Sequence, residues 1–378
     1  MRWPHQVLKV WHPGRSRYFN MAQLPTSELH RTARQLALPG YGIEQQERLF
    51  NAHVLVIGAG GLGCPVMQSL ASAGVGTITV IDDDTVDISN IHRQILFGAS
   101  DVGRPKVEVA AERLKELQPD ITVNALHERI TPENGCELLN SVDLVLDGSD
   151  SFSTKYLVSD AAEITGTPLI WATVLRFHGE LALFNSGPVH RGVGLRDVFP
   201  EQPSADFVPD CATAGVLGAT TATIGALMAT HAIGFLTEIG DVQPGTILSY
   251  DAFPAATRSF RVSADPARPL VTRLRASYEA ARTDTTSLID ATLNGSLTAL
   301  DIREPHEVLL KDLPEGATSL KLPLSQITSD SDILEALSGI DGDILVYCAS
   351  GIRSSDFIDN YSHLGHKFVN LPGGVNAL

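Results

Sequence analysis

The stretch that most constrains the fold is an apolar run that ends in a glycine-rich turn. His53-Val-Leu-Val-Ile57 has the β-branched composition of a buried strand, and Gly58-Ala-Gly-Gly-Leu-Gly63 follows it directly. Small residues then continue with helical spacing to about Ala73. A strand that enters a helix through glycines predicts a parallel-sheet unit, in which backbone N–H groups at the turn can hold phosphates.

Later apolar runs repeat this alternation of strand and helix. TITVID, ITVNALH and DLVLD predict three more strands, and the helical segment 104–119 lies between the first two. GELALFN, TILSYD and TRSFRV predict antiparallel strands. We therefore expect an α/β fold: a Rossmann-like, doubly wound sheet with an antiparallel extension, followed by a small C-terminal α/β domain. Ligands of such sheets bind beyond the carboxyl ends of the strands, where the glycine turn, Asp82 and Asp150 fall.

Cations near the glycine turn distinguish two kinds of nucleotide chemistry. The turn and Asp82 alone fit a dinucleotide site, so an NAD-dependent oxidoreductase is one interpretation. Arg93 and Lys106, however, add positive charge, and Asn90 and Gln94 add amides. A redox dinucleotide keeps its pyrophosphate intact, whereas an enzyme that cleaves a triphosphate must neutralise charge on the departing pyrophosphate. The cations favour an adenylating enzyme, although a surface ion-pair network is the simpler alternative.

Composition and cysteine spacing exclude several classes of protein. The chain has 378 residues, enough for two domains, and a formal charge of −16 argues against non-specific nucleic-acid binding. Cys64, Cys136, Cys211 and Cys348 form no CxxC pair, which excludes a disulfide framework and a four-thiolate zinc site. Reduced thiols indicate a cytoplasmic protein. Cys64 and Cys136 fall in predicted helices, where we expect them to pack in the core.

Four segments divide the chain. Residues 1–20 form an N-terminal tail that we expect to be disordered or an upstream mis-start, and they lack the apolar core of a signal peptide. Residues 21–265 form the nucleotide-binding domain, 266–286 a linker and 287–378 the C-terminal domain. The uncharged segment 215–236 is long enough to cross a bilayer, but its threonines, histidine and glycines favour a buried helix, so we expect no membrane span.

Several of these motifs together resemble a known family. GAGGLG, D-x-D-x-V-x-x-S-N-x-x-R-Q, G-x-P-K and C-x-x-A-G-V-L-G occur in that order. Over roughly residues 22–265 the chain is similar to the ubiquitin-activating-like adenylyltransferases of sulfur-carrier proteins, the MoeB and ThiF group. Residues 287–378 resemble a rhodanese domain through Asp301-Ile-Arg-Glu-Pro305 and Cys348-Ala-Ser-Gly-Ile-Arg353. This combination resembles the two-domain MoeZ type, the molybdopterin synthase sulfurylases.

The resemblance implies that the first domain binds ATP and Mg²⁺. Asp82 would hold the ribose, Arg93 and Lys106 would contact phosphates as catalytic cations, and Asp150 would bind Mg²⁺. Arg34 would reach the ATP of a neighbouring subunit, so a homodimer is implied. The expected nucleotide contacts are Gly58, Gly60, Gly61, Gly63, Asp82, Asp84, Ser89, Asn90, Arg93, Gln94, Lys106, Asp150, Ser151 and Arg34.

The resemblance also implies two catalytic cysteines. Cys348 would carry a persulfide in a loop that continues through Ala349, Ser350, Gly351, Ile352 and Arg353, whose charge would stabilise the sulfur anion. Cys211 would form a thioester or resolve an acyl disulfide, and a helix N-terminus behind it would favour the thiolate. The alternatives are a small buried residue at Cys211 and an inactive rhodanese fold that serves for docking.

The implied partners are a small β-grasp sulfur carrier ending in Gly-Gly, and a sulfur donor such as a cysteine desulfurase or thiosulfate. Two departures from the family pattern also leave a non-catalytic scaffold as an alternative. Ser151 stands where the family has Asn, and the segments 188–192 and 265–269 lack the cysteines that bind a structural zinc. We therefore expect no zinc, and a loop around 188–209 that packing alone holds in place.

Overall fold

The computed structural model describes residues 24–202, 215–278 and 285–378, apart from positions 310 and 341. These residues form two compact units. The larger contains 24–149, 154–200 and 217–276, and the smaller contains 150–153, 201–202, 215–216, 277–278 and the chain from 285 onward. Residues 1–20 and Cys211 lie outside the described residues. The predicted domain boundaries at 21, 265 and 287 stay predictions.

Helices and strands alternate in the larger unit, as expected. Its helices are α1 (Thr26–Arg31), α2 (Ala33–Leu36), α3 (Ile43–Asn51), α4 (Gly63–Ala73), α5 (Lys106–Leu117), α6 (Gly135–Asn140), α7 (Phe152–Thr165, which begins in the smaller unit), α8 (Leu195–Val198) and α9 (Gly218–Thr237). Its strands are β1 (His53–Ile57), β2 (Thr77–Ile81), β3 (Thr122–Leu126), β4 (Leu144–Asp147), β5 (Leu169–Leu175), β6 (His178–Phe184), β7 (Thr246–Asp251) and β8 (Ala256–Arg261).

These strands form one sheet in the order β3-β2-β1-β4-β5-β6-β7-β8. The strands from β1 to β5 pair in parallel, and β6, β7 and β8 add an antiparallel extension. Val54, Leu55 and Val56 are fully buried, as expected for the centre of a sheet that is covered on both faces. The structure thus confirms the predicted doubly wound α/β fold.

The register brings the ends of three strands to one level. Ile57 pairs with Ile81 of β2 on one side and with Asp147 of β4 on the other. The strand order reverses direction between β1 and β4, and this switch point is where open α/β sheets leave a crevice for a ligand. Gly58, Asp82 and Gly148 each follow directly after one of these strand ends.

Helix α9 fills the place of the predicted buried helix, but only one face of it is buried. A Cβ on Gly225 would lie 2.4 Å from Cγ of Pro65, so α9 packs against α4 through small residues, as predicted. Ala226 and Thr230 on other faces are exposed. By length and composition α9 could also cross a membrane, yet core helices pass the same test, and 39% of its most apolar window is already buried.

A cluster of ion pairs joins the segments 188–192 and 265–269. Arg268 donates to both oxygens of Glu163, at 2.7 and 3.0 Å, and to Asp197 Oδ1 at 2.9 Å. Arg191 binds the same Asp197 oxygen at 2.6 Å, and the Asp265 N–H donates to it at 3.0 Å. The prediction that packing alone holds this loop was therefore wrong, because charged hydrogen bonds bridge the two segments.

Charge compensation dominates the titration of this cluster. Burial by itself would raise the pKa values of Asp197 and Glu163, but the hydrogen bonds that each carboxylate accepts, from Arg268 and from its other donors, together outweigh burial and lower both pKa values. Glu163 on α7 also accepts the Val271 N–H at 3.0 Å. Both carboxylates consequently remain ionised in the folded protein well below neutral pH.

The smaller unit has its own parallel sheet, in the order β10-β9-β11-β12. Its strands are β9 (Thr298–Asp301), β10 (Ser319–Lys321), β11 (Ile344–Tyr347) and β12 (Phe368–Asn370), and its helices are α10 (Thr286–Leu293), α11 (Pro305–Val308), α12 (Asp330–Ala336) and α13 (Ile352–Tyr361). Leu300, Val346 and Phe357 are central to its core. This unit confirms the predicted small C-terminal α/β domain.

A buried charge network lies at one end of this second sheet. Arg303 donates to both carboxylate oxygens of Asp301, at 2.8 and 2.7 Å, and to Asp312 at 2.7 Å. Its guanidinium lies over the ring of Tyr347, 5.2 Å from the centroid, and burial raises the pKa of that tyrosine to about 12. The motif Asp301-Ile-Arg303 therefore holds β9 and β11 together rather than contributing an exposed charge.

The two remaining cysteines differ in burial. Cys64 on α4 is fully buried, as predicted, and burial raises the pKa of its thiol to about 12. Cys136 on α6 is only half-buried, so the prediction of core packing was wrong for it. Gly135 and Leu139, which are four residues apart, form the buried side of this short helix and leave Cys136 at its margin.

Candidate functional site

The glycine turn after β1 depends on side chains being absent. Gly58 has a φ of +86°, and its N–H donates to the Ile81 carbonyl at 2.9 Å. A Cβ on Gly63 would lie 1.9 Å from the Gly58 oxygen, and one on Gly61 would lie 3.3 Å from Cγ2 of Thr221 on α9. Around Gly60 there is more room. The turn therefore forms a cradle at the crevice, in which partly buried glycine backbone is not covered by side chains of its own.

Asp82 links the end of β2 to this cradle. Its Oδ2 accepts the Ala59 N–H at 2.7 Å, and its Oδ1 accepts the Asp84 N–H at 2.8 Å. Burial raises the pKa of the carboxyl, and the Lys106 ammonium partly offsets this increase. Asp82 thus orders both the glycine turn and the loop after β2, which is more than the capping of a single turn.

Lys106 begins helix α5 and is nearly buried. Its Nζ donates to Asp84 Oδ2 at 2.7 Å, and its side chain is 5% exposed whereas that of Asp84 is 66% exposed. The carboxylate oxygens of Asp82, Asp83 and Asp84 lie within 4.8 Å of one another. Asp84 therefore neutralises the ammonium in this state, and an anion that displaced it would meet a lysine with little competing hydration.

A short 3₁₀ turn, Ile88–Asn90, positions the next polar residues. Asp87 accepts from the N–H and the hydroxyl of Ser89, at 2.7 and 2.6 Å. Asn90 Oδ1 accepts from Arg93 at 2.8 Å, and Cγ of Arg93 lies 3.4 Å from where a Cβ on Gly61 would be. The guanidinium is therefore held beside the glycine turn.

Gln94 is the unusual residue of this group. It is 4% exposed, and its Oε1 has no hydrogen-bond partner within the part of the chain that the structure describes. Its Nε2 lies 3.9 Å from where a Cβ on Gly60 would be. A buried amide oxygen without a partner costs free energy unless a ligand or a water molecule satisfies it, so Gln94 offers an acceptor to a molecule bound at the cradle.

The loop after β4 approaches the cradle through glycine. A Cβ on Gly148 would lie 3.0 Å from the Gly63 nitrogen. Asp147 is fully buried, and its Oδ1 accepts from the N–H and the hydroxyl of Ser149, at 3.0 and 2.5 Å. Asp150 follows and is exposed, and Ser151 Oγ lies 3.1 Å from Ser153 Oγ.

No described contact brings Arg34 or Cys211 to this group. Arg34 on α2 is exposed, and it forms no hydrogen bond or ion pair to the described residues. Cys211 falls outside those residues. Both roles stay predictions.

In the smaller unit, Cys348 directly follows β11 and is fully buried. Its Sγ accepts the Gly351 N–H at 3.1 Å and lies 3.5 Å from the Ser354 hydroxyl. The loop runs through Ala349 and Ser350 into α13, which begins at Ile352. A Cβ on Gly374 would lie 2.3 Å from the Cys348 oxygen, so the C-terminal turn packs tightly under the loop. Two hydrogen-bond donors of this loop are therefore directed at the sulfur of Cys348.

Arg353 shares its charge between the sulfur of Cys348 and a carboxylate of α11. It forms a bidentate ion pair with Glu307 of α11, at 2.9 and 2.5 Å, although it also interacts with Cys348. Burial by itself would raise the pKa of Glu307, but the ion pair with Arg353, the Glu304 N–H and the charge of His306 together lower it. The positive charge beside the sulfur is therefore shared with a carboxylate.

The structure places most of the predicted nucleotide residues at one sheet edge. Those it brings together around the cradle are Gly58, Gly60, Gly61, Gly63, Asp82, Asp84, Asn90, Arg93, Gln94 and Lys106. Sequence reasoning missed Lys155 and Glu307. A lysine early in a predicted helical stretch, eight residues after Asp147, and a glutamate two residues after Pro305 were the available signals.

Comparison with known proteins agrees with this geometry. The family model described as "ThiF family" matches residues 32–270. A protein named "Probable adenylyltransferase/sulfurtransferase MoeZ", from Mycobacterium tuberculosis, is 38% identical over 94% of this chain and 93% of its own length. The "Sulfur carrier protein adenylyltransferase" of Thermus thermophilus is 46% identical over 64% of this chain and 90% of its own length.

A solved structure shares the fold of the larger unit. The E. coli MccB structure with ATP superposes with a TM-score of 0.54 at 22% identity, over 64% of this chain and 74% of that chain. The shared names, the extent of the match and the assembled site together make this protein an enzyme of the adenylyltransferase and sulfurtransferase class. The chain belongs to the ThiF family.

Proposed function

We propose that this chain adenylylates the C-terminal glycine of a small β-grasp sulfur carrier with ATP·Mg²⁺, and then delivers sulfur to it from a persulfide on Cys348. The observation that carries the first step is the cradle of Gly58–Gly63, with the buried Lys106 and the partnerless amide oxygen of Gln94 beside it. The relatives named for adenylyl transfer to a sulfur carrier support the choice of partner.

The residues at the cradle fit ATP. The glycine backbone and the N-terminus of α5 suit phosphates, and Arg93 and Lys106 supply positive charge. The Asp82 carboxylate would accept from the ribose hydroxyls, and Asp150 and Ser151 would lie at the metal. Mg²⁺ held by Asp150 would neutralise phosphate charge when bound. Asp84 would release Lys106 as the phosphates arrive, while Ser89 and Asn90 keep the following turn in place.

Adenylylation makes the carrier carboxylate reactive toward sulfur. A carboxylate oxygen attacks the α-phosphorus of ATP, and the bond from that phosphorus to pyrophosphate breaks. Both partners are anions, so their repulsion must be lowered by nearby cations. Arg93 and Lys106 would act here, because fixed charges in a poorly hydrated crevice need no reorganisation as negative charge builds on the pyrophosphate.

The smaller unit would supply the sulfur, as a rhodanese-like domain. A cysteine desulfurase or thiosulfate would load Cys348, and the terminal sulfur of the persulfide would attack the carrier acyl carbon and expel AMP. The Gly351 N–H and the Ser354 hydroxyl at 3.1 and 3.5 Å from Sγ support a sulfur anion at this position. Ala349, Ser350 and Ile352 would form the remaining wall of the loop.

Cys211 would complete the transfer. Its thiolate would attack the sulfur of Cys348 in the acyl disulfide, which releases the carrier thiocarboxylate and leaves a Cys211–Cys348 disulfide. A thiol reductant would then regenerate both cysteines. We further propose a homodimer, in which the exposed Arg34 reaches the neighbouring ATP site, and a cytoplasmic location, which the free thiols of Cys64, Cys136 and Cys348 support.

ATP–pyrophosphate exchange with a panel of Gly-Gly-ending carriers tests the adenylation step. We expect exchange with one carrier, dependent on Mg²⁺, and thermal stabilisation by ATP·Mg²⁺ but not by NAD. If no carrier in the panel supports exchange although the protein still binds ATP, the proposal is overturned in favour of a scaffold that only binds carriers.

Variants separate the two half-reactions. Cys348→Ser should abolish thiocarboxylate formation and leave exchange intact, whereas Cys136→Ser, at a half-buried thiol outside the site, should leave both intact. Persulfide on Cys348 is measured by mass spectrometry after incubation with thiosulfate. Thiocarboxylate formation by Cys348→Ser at the wild-type rate would contradict the second step.

A further inference from the structure

Asp147 and Lys155 form a buried ion pair for which the proposed adenylation has no role so far. Asp147 is fully buried at the end of β4, and Lys155 on α7 is 2% exposed. Lys155 Nζ lies 3.3 Å from Asp147 Oδ2. Two buried charges lose most of their hydration, so both groups stay ionised only if further hydrogen bonds stabilise them.

Those other contacts reach strand β5 and the loop after β4. Lys155 Nζ donates to the Ala172 carbonyl of β5 at 2.6 Å and lies 5.9 Å from the ring centroid of Trp171. The other oxygen of Asp147 accepts from both the N–H and the hydroxyl of Ser149. The pair therefore links the end of β4 and the middle of β5 to Lys155, which lies near the beginning of α7.

The segment between the pair carries the residue to which we assign the metal. Ser149 is held on one side of Asp150, and Lys155 is held five residues after it. The backbone at Gly148 is also fixed against the cradle, because a Cβ there would lie 3.0 Å from the Gly63 nitrogen and 3.2 Å from the Ile57 oxygen. A short segment anchored at both ends has few conformations left, so its carboxylate is pre-ordered for a ligand.

We propose that Asp147 and Lys155 are a positioning pair that holds the Asp150 loop in its metal-binding conformation, and thereby sets the affinity of the nucleotide complex for its divalent cation. Neither residue touches substrate. The proposal rests on the proposed function only for the assignment of Asp150 as the metal ligand.

The test measures metal binding directly, by electron paramagnetic resonance of Mn²⁺ with a non-hydrolysable ATP analogue and the full-length chain. Lys155→Met leaves a buried carboxylate without its cation, and should raise the Mn²⁺ dissociation constant at least tenfold. The affinity for the analogue in EDTA should stay within twofold of that of the wild type. Adding Asp147→Asn removes the unpaired charge but does not restore the tie between the two residues, so the double variant should also bind Mn²⁺ at least tenfold more weakly than the wild type.

Three more variants keep the result interpretable. Ser149→Ala removes one hydroxyl, is not expected to unfold the domain, and should weaken Mn²⁺ binding about threefold. Asp160→Asn breaks another buried ion pair of α7, with Arg196 at 2.6 and 2.9 Å. That control should lower Tm and leave the Mn²⁺ dissociation constant unchanged. Asp150→Asn should remove Mn²⁺ binding at this site.

The proposal is overturned if Lys155→Met or Ser149→Ala binds Mn²⁺ as the wild type does, or if the double variant recovers the wild-type affinity. It also fails if Asp160→Asn weakens Mn²⁺ binding to the same extent, or if Asp150→Asn leaves it intact. Because no carrier is present, failure of every carrier in the exchange assay would overturn the proposed function without affecting this measurement.

Discussion

Arg353 and Glu307 form a bidentate ion pair beside the sulfur of Cys348, at 2.9 and 2.5 Å. The guanidinium therefore divides its charge between a carboxylate and the sulfur, which limits how strongly the loop stabilises a thiolate in its unloaded state.

The first prediction concerns this shared charge. Glu307→Gln removes the competing carboxylate, so alkylation of Cys348 by iodoacetamide at neutral pH should accelerate roughly threefold to tenfold. Peptide mass spectrometry over time gives the rate. Glu304→Gln is the matched control, because Glu304 binds the N–H and the hydroxyl of Ser325 and should leave the rate unchanged. Slower alkylation in Glu307→Gln would show that the ion pair instead orients Arg353 toward the sulfur.

A second prediction concerns the buried lysine of α5. Lys106→Met preserves the length of the side chain but removes its charge, and should lower the rate of pyrophosphate exchange about a hundredfold or more. Its partner Asp84 is largely exposed, so Tm should change little. Lys115→Met on the exposed side of the same helix serves as the control. Equal exchange rates for the two variants would show that the charge of Lys106 does not contribute to adenylation.

The glycine turn gives a third prediction, which concerns stability. In Gly63→Ala the new methyl group would lie 1.9 Å from the Gly58 oxygen, so the turn and α4 must separate. We expect a loss of about 3 kcal/mol or more in the free energy of unfolding. Gly60→Ala meets its nearest neighbour, Gln94, at 3.9 Å and should cost far less. Urea unfolding measures the stability of the two variants. Similar values for both would contradict the close approach of Gly63 to the Gly58 oxygen.

The ion-pair cluster around Asp197 gives a fourth prediction, which concerns pH. The folded-state pKa values of Asp197 and Glu163 are lowered, so both carboxylates stabilise the fold above their unfolded values of about 4. This stabilisation is lost as the pH falls through the lowered folded values. Arg268→Met should therefore destabilise the domain by about 3 kcal/mol at pH 7.

The difference from the wild type should then shrink below about pH 4, because the carboxylates become protonated in the unfolded chain and no longer favour the folded state. Thermal unfolding between pH 3 and pH 8 measures this difference in stability between Arg268→Met and the wild type. Arg273→Met, at an exposed position close by, should follow the wild-type curve. A destabilisation that does not vary with pH would attribute the role of Arg268 to packing.

The sheet and the cradle were predictable because their signals are local. A buried strand needs a run such as Val54–Ile57, and a turn with φ of +86° at Gly58 needs glycine, so period and residue type identify both before any tertiary contact is known. The ends of β1, β2 and β4 could be expected at one edge because they were expected to be parallel. Asp82 and Lys106 were therefore found from sequence.

The charge pairs were not predictable in the same way. Arg268 meets Glu163 across 105 residues and Arg353 meets Glu307 across 46, and neither spacing follows a helical or strand period. The sequence shows that Arg353 carries a charge near Cys348, but only the fold places Glu307 close enough to share it. For the same reason, packing alone was expected where Arg191 and Arg268 in fact bridge two segments.

The sequence alone determined the strand–turn–helix unit, the edge at which phosphates would bind and the loop that carries Cys348. Backbone sterics and hydrophobic period act over a few residues, and the chain encodes them directly. The tertiary structure decided which charges are compensated: Lys106 by Asp84, Lys155 by Asp147 and Arg353 by Glu307. Electrostatic energies depend on distance and burial, which arise only when segments far apart in the chain pack against one another.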